Sequence, residues 1–175
     1  MKQNRENPFF ETYRTPFGTP PFDQIETEQY EPAFDEGIWQ LDEEVRAIAD
    51  NTELPTFENT IIALERSGKL LDKVISAFFN VLNAEADDEM MDISQRVSPK
   101  LSESSNNIYL NEQLFARVKS VYDRKDELHL PMEDARLLEK TFEAFCARGA
   151  ALGPEEKEKY RKLSSELSLL SLTFD

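Results

Sequence analysis

The chain has 175 residues, 35 acidic against 20 basic, for a net charge of −15, a balance that repels nucleic-acid phosphates and anionic membrane surfaces and argues against either as a partner. That length suits one domain with a core that needs neither disulfide nor metal, and only five glycines among many Glu, Lys, Leu, Ala and Arg favour helix over sheet. The acidity fits a surface charged for solubility.

Taken in order, MKQNRENPFF has no apolar stretch after its charges, so neither a signal peptide nor a membrane anchor is expected there. Residues 1–26 carry Pro8, Pro16, Pro20, Pro21 and Gly18, which block helix and predict an extended arm. Because Phe9, Phe10, Tyr13, Phe17 and Phe22 are costly to leave in water, that arm is expected to strap onto the body formed by 27–175.

Apolar residues at Tyr30, Phe34, Ile38, Leu41, Val45 and Ile48 recur at spacings of three and four, which predicts a first helix to Asp50 with Thr27 as its cap. The stretch PTFENTIIALERSGKLLDKV follows, with Thr56 able to cap a second helix through Phe57, Ile61, Leu64, Gly68, Leu71, Ile75, Phe78 and Leu82. A glycine inside that helix costs about 1 kcal/mol relative to alanine, which predicts the close approach of another helix at Gly68. Asp87 or Asp88 is placed to cap a third helix through Leu101, kinked at Pro99. Asn111 heads a fourth, with Leu114, Phe115, Val118, Val121 and Tyr122 apolar, and the charged 123–127 follows as surface. A fifth spans Pro131 to Arg148 and ends at Gly149 in a left-handed turn. Pro154 then suits the first position of a sixth, with Tyr160, Leu163, Leu167, Leu170 and Phe174 as its stripe. That stripe is unfinished at Asp175, which predicts a helix continuing in a longer protein. The fold class expected is all-α, about six helices in an antiparallel bundle-like array preceded by the Pro/Phe-rich arm.

Candidate chemistry is sparse. Zinc catalysis draws several protein ligands from His, Cys, Asp and Glu, and His129 is the sole histidine, set in the loop ELHLPM. The acidic groups Asp42, Glu43, Glu44 and Asp87, Asp88, Glu89 lack the glycine-containing spacing of a calcium loop and are expected to form solvated faces. Cys146, in the apolar run 142–147, is expected to be a buried inert thiol. The serines of SSELSLLS, from Ser164 to Ser171, have no strand-to-helix elbow to expose a nucleophile. No catalytic, cofactor-binding or metal-binding residue is assigned.

Several pieces, in this order, resemble the N-terminal region of the thimet oligopeptidase family of zinc metallopeptidases, above all its peptidyl-dipeptidase branch: NPFF, TPFGTPPFDQI, YEPAFDEGI, PTFENTIIALERSGKLLDKV, FFNVLNAEADDEM, SPKLSESSNNIYLNEQLFARVKSVYD, LLEKTFEAF and KLSSELSLLSLTF. While the lack of any apolar run of about 18 residues leads to the expectation of a soluble, cytoplasmic chain, what the resemblance implies is a longer, largely helical enzyme with two halves across a deep channel. Its zinc is held by the two histidines of an H-E-x-x-H helix and a later glutamate. This chain contains no H-E-x-x-H, so the resemblance places every catalytic and metal residue beyond Asp175 and leaves here an inactive helical domain, without a cofactor of its own, that helps wall the channel. Its implied partners are the rest of its own polypeptide and short peptide substrates, with no nucleic acid and no membrane. The alternatives are a free-standing module that binds a helix or peptide in a groove, and self-association through apolar surface on the last helix.

Overall fold

The computed structural model describes residues 7–85 and 87–171. Among them there is no strand, and the fold is all-α. Three 3-10 turns, Pro8–Phe10, Pro16–Gly18 and Thr27–Gln29, precede helix α1 (Tyr30–Ala49). A π-helical segment Phe57–Ile62 running into Ala63–Glu65 forms α2, and α3 (Lys69–Glu85), α4 (Asp88–Tyr109), α5 (Glu112–Tyr122), α6 (Met132–Ala147) and α7 (Pro154–Ser171) follow.

Local chemistry sets most helix ends. The Thr56 hydroxyl accepts from the Asn59 amide at 3.0 Å while the Asn59 side chain accepts from the Thr56 amide at 2.8 Å, a reciprocal cap. Asp87 accepts from the Met90 amide at 2.8 Å and Asn111 from the Leu114 amide at 2.9 Å. At the end of α6, Gly149 has φ +88°, and the Ala150 and Gly149 amides reach back to the Phe145 and Cys146 carbonyls at 3.0 and 3.2 Å. This is a Schellman end that satisfies the last carbonyls. Pro154 opens α7 as expected, and Phe174 of its stripe lies outside the described residues.

Three expectations require correction. The second helix does not run from Phe57 to Leu82. It breaks after Glu65, and Gly68 adopts φ +74°, a left-handed conformation that other residues rarely take. Gly68 is thus the turn itself, and the close approach lies elsewhere: a Cβ at Gly37 would sit 3.0 Å from the Leu71 Cα. The third helix does not end near Leu101 but continues through Pro99 to Tyr109. Its later buried positions are polar, Ser104 and Asn106, so hydropathy fades where burial does not. Thr27 is no cap either. It is the first residue of a 3-10 turn whose preceding Glu26 amide donates to the Gln29 side chain at 2.8 Å.

The chain separates into two compact units, one formed by residues up to Leu41 with Gly68–Ser98, the other by Asp42–Ser67 with Pro99 onward. In the first, Phe9, Phe34 and Phe78 are almost wholly buried. Phe78 meets Tyr30 edge-on at 5.1 Å and Phe34 at 5.2 Å, and Phe9 lies 5.3 Å from Tyr30. Such pairs contribute beyond the area they bury. In the second, Leu114, Val118 and Val121 on α5 are fully buried. Tyr122 stacks on Phe142 at 3.9 Å and Phe115 on the same ring at 6.0 Å, so α5 and α6 share an aromatic seam, which Tyr109 of α4 extends by packing at 5.0 Å on Phe145.

Candidate functional site

In the first unit the arm is held by one lysine. Lys73 on α3 donates from Nζ to the Phe9 and Glu11 carbonyls at 2.8 and 2.7 Å, and the same nitrogen lies 3.7 Å from the centre of the Tyr13 ring. Asn7 adds a bond to the Gln29 carbonyl at 2.8 Å. Burial pulls the Lys73 pKa below its ordinary value, and burial, with a smaller contribution from Tyr30, pushes that of Tyr13 up to about 12. The Tyr13 hydroxyl is itself buried without a hydrogen-bond partner.

The burial expected of the arm's aromatics holds for Phe9 and fails for three others. Phe10 and Phe22 are half exposed, and Phe17 is fully exposed with φ +60°. Successive prolines confine the backbone on either side of these rings, so their direction follows the turns rather than an alternating pattern.

The first unit also carries a groove of about 740 Å³ whose lining includes Glu31, Asp35, Glu36, Glu89 and Arg96. Arg96 donates from Nε to Glu31 at 3.0 Å, which offsets part of the negative field. The groove is open and mainly acidic, suited to solvation and to basic groups rather than to proton transfer, which needs a shielded carboxyl.

The second unit is organised around Arg117, a guanidinium only 7% exposed. It faces no carboxylate among its bonded partners. Nη1 donates to the Asn51 and Glu53 carbonyls at 2.6 and 3.0 Å, and Nη2 donates to Asn59 Oδ1 at 3.0 Å and Thr60 Oγ1 at 3.3 Å. One turn of chemistry thus ties α5 to the loop before α2 and to the cap of α2. Seven residues on, Arg124 donates to the Pro55 carbonyl from the same face.

Helix α7 lies on this unit by its polar side. Lys157 is buried and donates to Glu112 at 3.2 Å, Asn106 donates to Ser164 Oγ at 2.8 Å, and Arg161 donates to Asn107 at 2.8 Å. Another side of the helix bears Leu163, Leu167 and Leu170, at 59%, 66% and 55% exposure. Arg161, Lys162, Ser165 and Glu166 of α7, with Pro99 and Glu103, line a groove of about 510 Å³. Its charges are mixed, Glu103 and Glu166 against Arg161 and Lys162.

The residues weighed in the sequence are scattered. His129 stands exposed in a loop with φ +49°. Asp42 accepts from Ser104 at 3.0 Å while Glu43 and Glu44 face water, as do Asp87, Asp88 and Glu89. Cys146 is exposed, which corrects the expected buried thiol. It lies next to the buried Phe145, and the apolar run 142–147 is shared between two faces of α6. Among the described residues no group of three or more His, Cys, Asp or Glu side chains is placed to hold a metal ion. Arg117 was missed, and apolar surface on the last helix was foreseen only as a face for self-association, without its leucines being singled out as that face. The leucine spacing was visible, but nothing in it said which side would face out.

No sequence-family profile matches the chain. Along nearly its whole length, however, it is similar to curated bacterial and eukaryotic peptidases. It is 43% identical to dipeptidyl carboxypeptidase of Escherichia coli (strain K12) over 97% of this chain and 25% of the relative. To dipeptidyl carboxypeptidase of Salmonella typhimurium the figures are 38%, 97% and 25%. To thimet-like oligopeptidase of Dictyostelium discoideum they are 27%, 84% and 22%. The chain therefore spans about a quarter of the length of the curated relatives it matches. No helix among the described residues is long and apolar enough to cross a membrane.

Proposed function

We propose that this chain is the non-catalytic N-terminal helical domain of a longer zinc-dependent peptidyl-dipeptidase, which removes dipeptides from the C-terminal end of short peptides. In this reading residues 1–26 are an arm packed on the helical body 27–175, and the domain forms part of the wall that limits the substrate channel to short, unfolded peptides. Its partners are then the catalytic part of its own polypeptide and, in the whole enzyme, the peptide. The observation that carries the reading is the match of 97% of the chain to only 25% of dipeptidyl carboxypeptidase. The sequence supports it too. One histidine cannot supply the pair in H-E-x-x-H, so the zinc chemistry of such an enzyme has to come from other residues of the polypeptide. The helices here would contribute to access and specificity, through the shape and charge of their surfaces.

The test is to express both the 175-residue chain and the polypeptide encoded by its native reading frame, and to assay release of C-terminal dipeptides with and without a zinc chelator. Chelator-sensitive release by the longer polypeptide alone supports the proposal. Release by the 175-residue chain, or none by the longer polypeptide supplied with zinc, refutes it.

A further inference from the structure

We infer that the leucine face of α7 is a docking seam for an apolar segment of the same polypeptide outside these 175 residues. This rests on the proposed origin of the chain in a longer enzyme. Leu163, Leu167 and Leu170 follow one another at spacings of four and three, so they form one ridge on the helix. Each is more than half exposed. Single exposed leucines are common on protein surfaces, whereas an aligned row marks a contact.

The orientation of α7 is no accident of a weakly held helix. Its inner side is fastened by Lys157 to Glu112 at 3.2 Å, by Ser164 to Asn106 at 2.8 Å and by Arg161 to Asn107 at 2.8 Å. Rolling the leucines inward would strip buried Lys157 of its carboxylate and Asn106 of its acceptor, each costly in a buried setting. The helix thus spends its polar side on the unit and keeps its apolar side for something else.

The length comparison selects the occupant. A chain that matches only 25% of dipeptidyl carboxypeptidase leaves three quarters of such a polypeptide to supply a covering segment at high effective concentration, which a separate partner lacks. The ridge-like row suits a helix crossing it, leucines set into the gaps of the facing surface.

The test compares one variant, Leu163→Gln/Leu167→Gln/Leu170→Gln, in two settings, with Met132→Gln, another exposed apolar position at 85%, as control. Glutamine keeps helix propensity while removing the apolar contact. In the 175-residue chain the triple variant should leave the thermal midpoint unchanged. In the longer native polypeptide it should lower the midpoint by several degrees and speed amide exchange across 163–170, while Met132→Gln changes neither. A longer polypeptide indifferent to the triple variant overturns the inference, as does a native reading frame that ends at Asp175. A 175-residue chain that sediments as a dimer and reverts to monomer on triple substitution also overturns it, in favour of a second copy. Failure of the enzymatic reading is distinguishable, because a longer polypeptide without peptidase activity can still be destabilised by the triple variant.

Discussion

Replacing Arg117 with methionine should destabilise the protein far more than a surface arginine would. Its guanidinium makes four hydrogen bonds, two to the Asn51 and Glu53 carbonyls and two to the Asn59 and Thr60 side chains. A hydrogen bond to a charged group contributes about 1.5–3 kcal/mol, but four cannot simply be added. Glu53 is exposed and Asn51 half-buried, so their carbonyls regain water when the arginine goes. Thr60 is fully buried and Asn59 half-buried, and these inner acceptors account for most of the loss. Against this, methionine removes a buried cation whose four bonded acceptors are all uncharged, which returns part of its desolvation cost. The net expectation is about 2–4 kcal/mol. Urea unfolding followed by circular dichroism measures it. Because Asn59 Oδ1 also accepts from the Thr56 amide at 2.8 Å, Asn59→Ala and Arg117→Met should couple in a double-mutant cycle by at least about 0.5 kcal/mol. A methionine variant within about 0.5 kcal/mol of the parent would show that the four bonds merely replace bonds to water, and would refute the argument.

Gly68→Ala tests the break between α2 and α3 by its sign: alanine stabilises an uninterrupted helix by about 1 kcal/mol, whereas at φ +74° with Leu41 Cδ1 3.1 Å from the added Cβ it should destabilise by about 1–2 kcal/mol in the same unfolding assay. Tyr13, raised by burial from 10.0 to about 12, favours the folded state fully below pH 10 and loses that contribution as pH rises through 12. Lys73, lowered by burial from 10.5, acts in the opposite sense, its contribution present above that value and lost as pH falls through its folded pKa. Subtracting the stability curve of Tyr13→Phe isolates the tyrosine, and a difference that stays flat between pH 10 and 12 contradicts the assignment. Cys146, exposed on α6, should react with a thiol reagent in the native protein as fast as in denaturant, and a protected thiol would show that α6 is turned.

Much of the fold was legible because the deciding chemistry is local. Thr56, Asp87 and Asn111 cap helices through their own side chains, and Gly149 ends α6 through its own backbone, so a few neighbouring residues suffice. The misses share a non-local cause. A glycine that interrupts a regular stripe reads the same whether a helix passes through it or turns there, and the φ of Gly68 follows from how the flanking segments pack. The far half of α4 disappears from a hydropathy pattern because its buried positions are a serine and an asparagine, whose partners Asp42 and Ser164 lie about sixty positions away in sequence. Arg117 reads as an ordinary surface cation for the same reason.

Function was less legible still, and α7 shows why. Periodicity finds a helix from the spacing of apolar residues, and assigns the apolar side to the core on the premise that the core is already in the sequence. Tyr160, Leu163, Leu167 and Leu170 satisfy the spacing, yet Tyr160 is half-buried and the three leucines face out while Lys157 and Ser164 make the bonds to the unit. On α7 that premise fails, because the bonds to the unit come from polar positions while the leucines stay exposed, and the pattern keeps its period while losing its direction. The likeness to peptidases emerged from a different property, the order of many chemically silent pieces along the chain, which needs no functional group to be present. For this protein the helices most informative about function are therefore those whose apolar side the described residues leave uncovered.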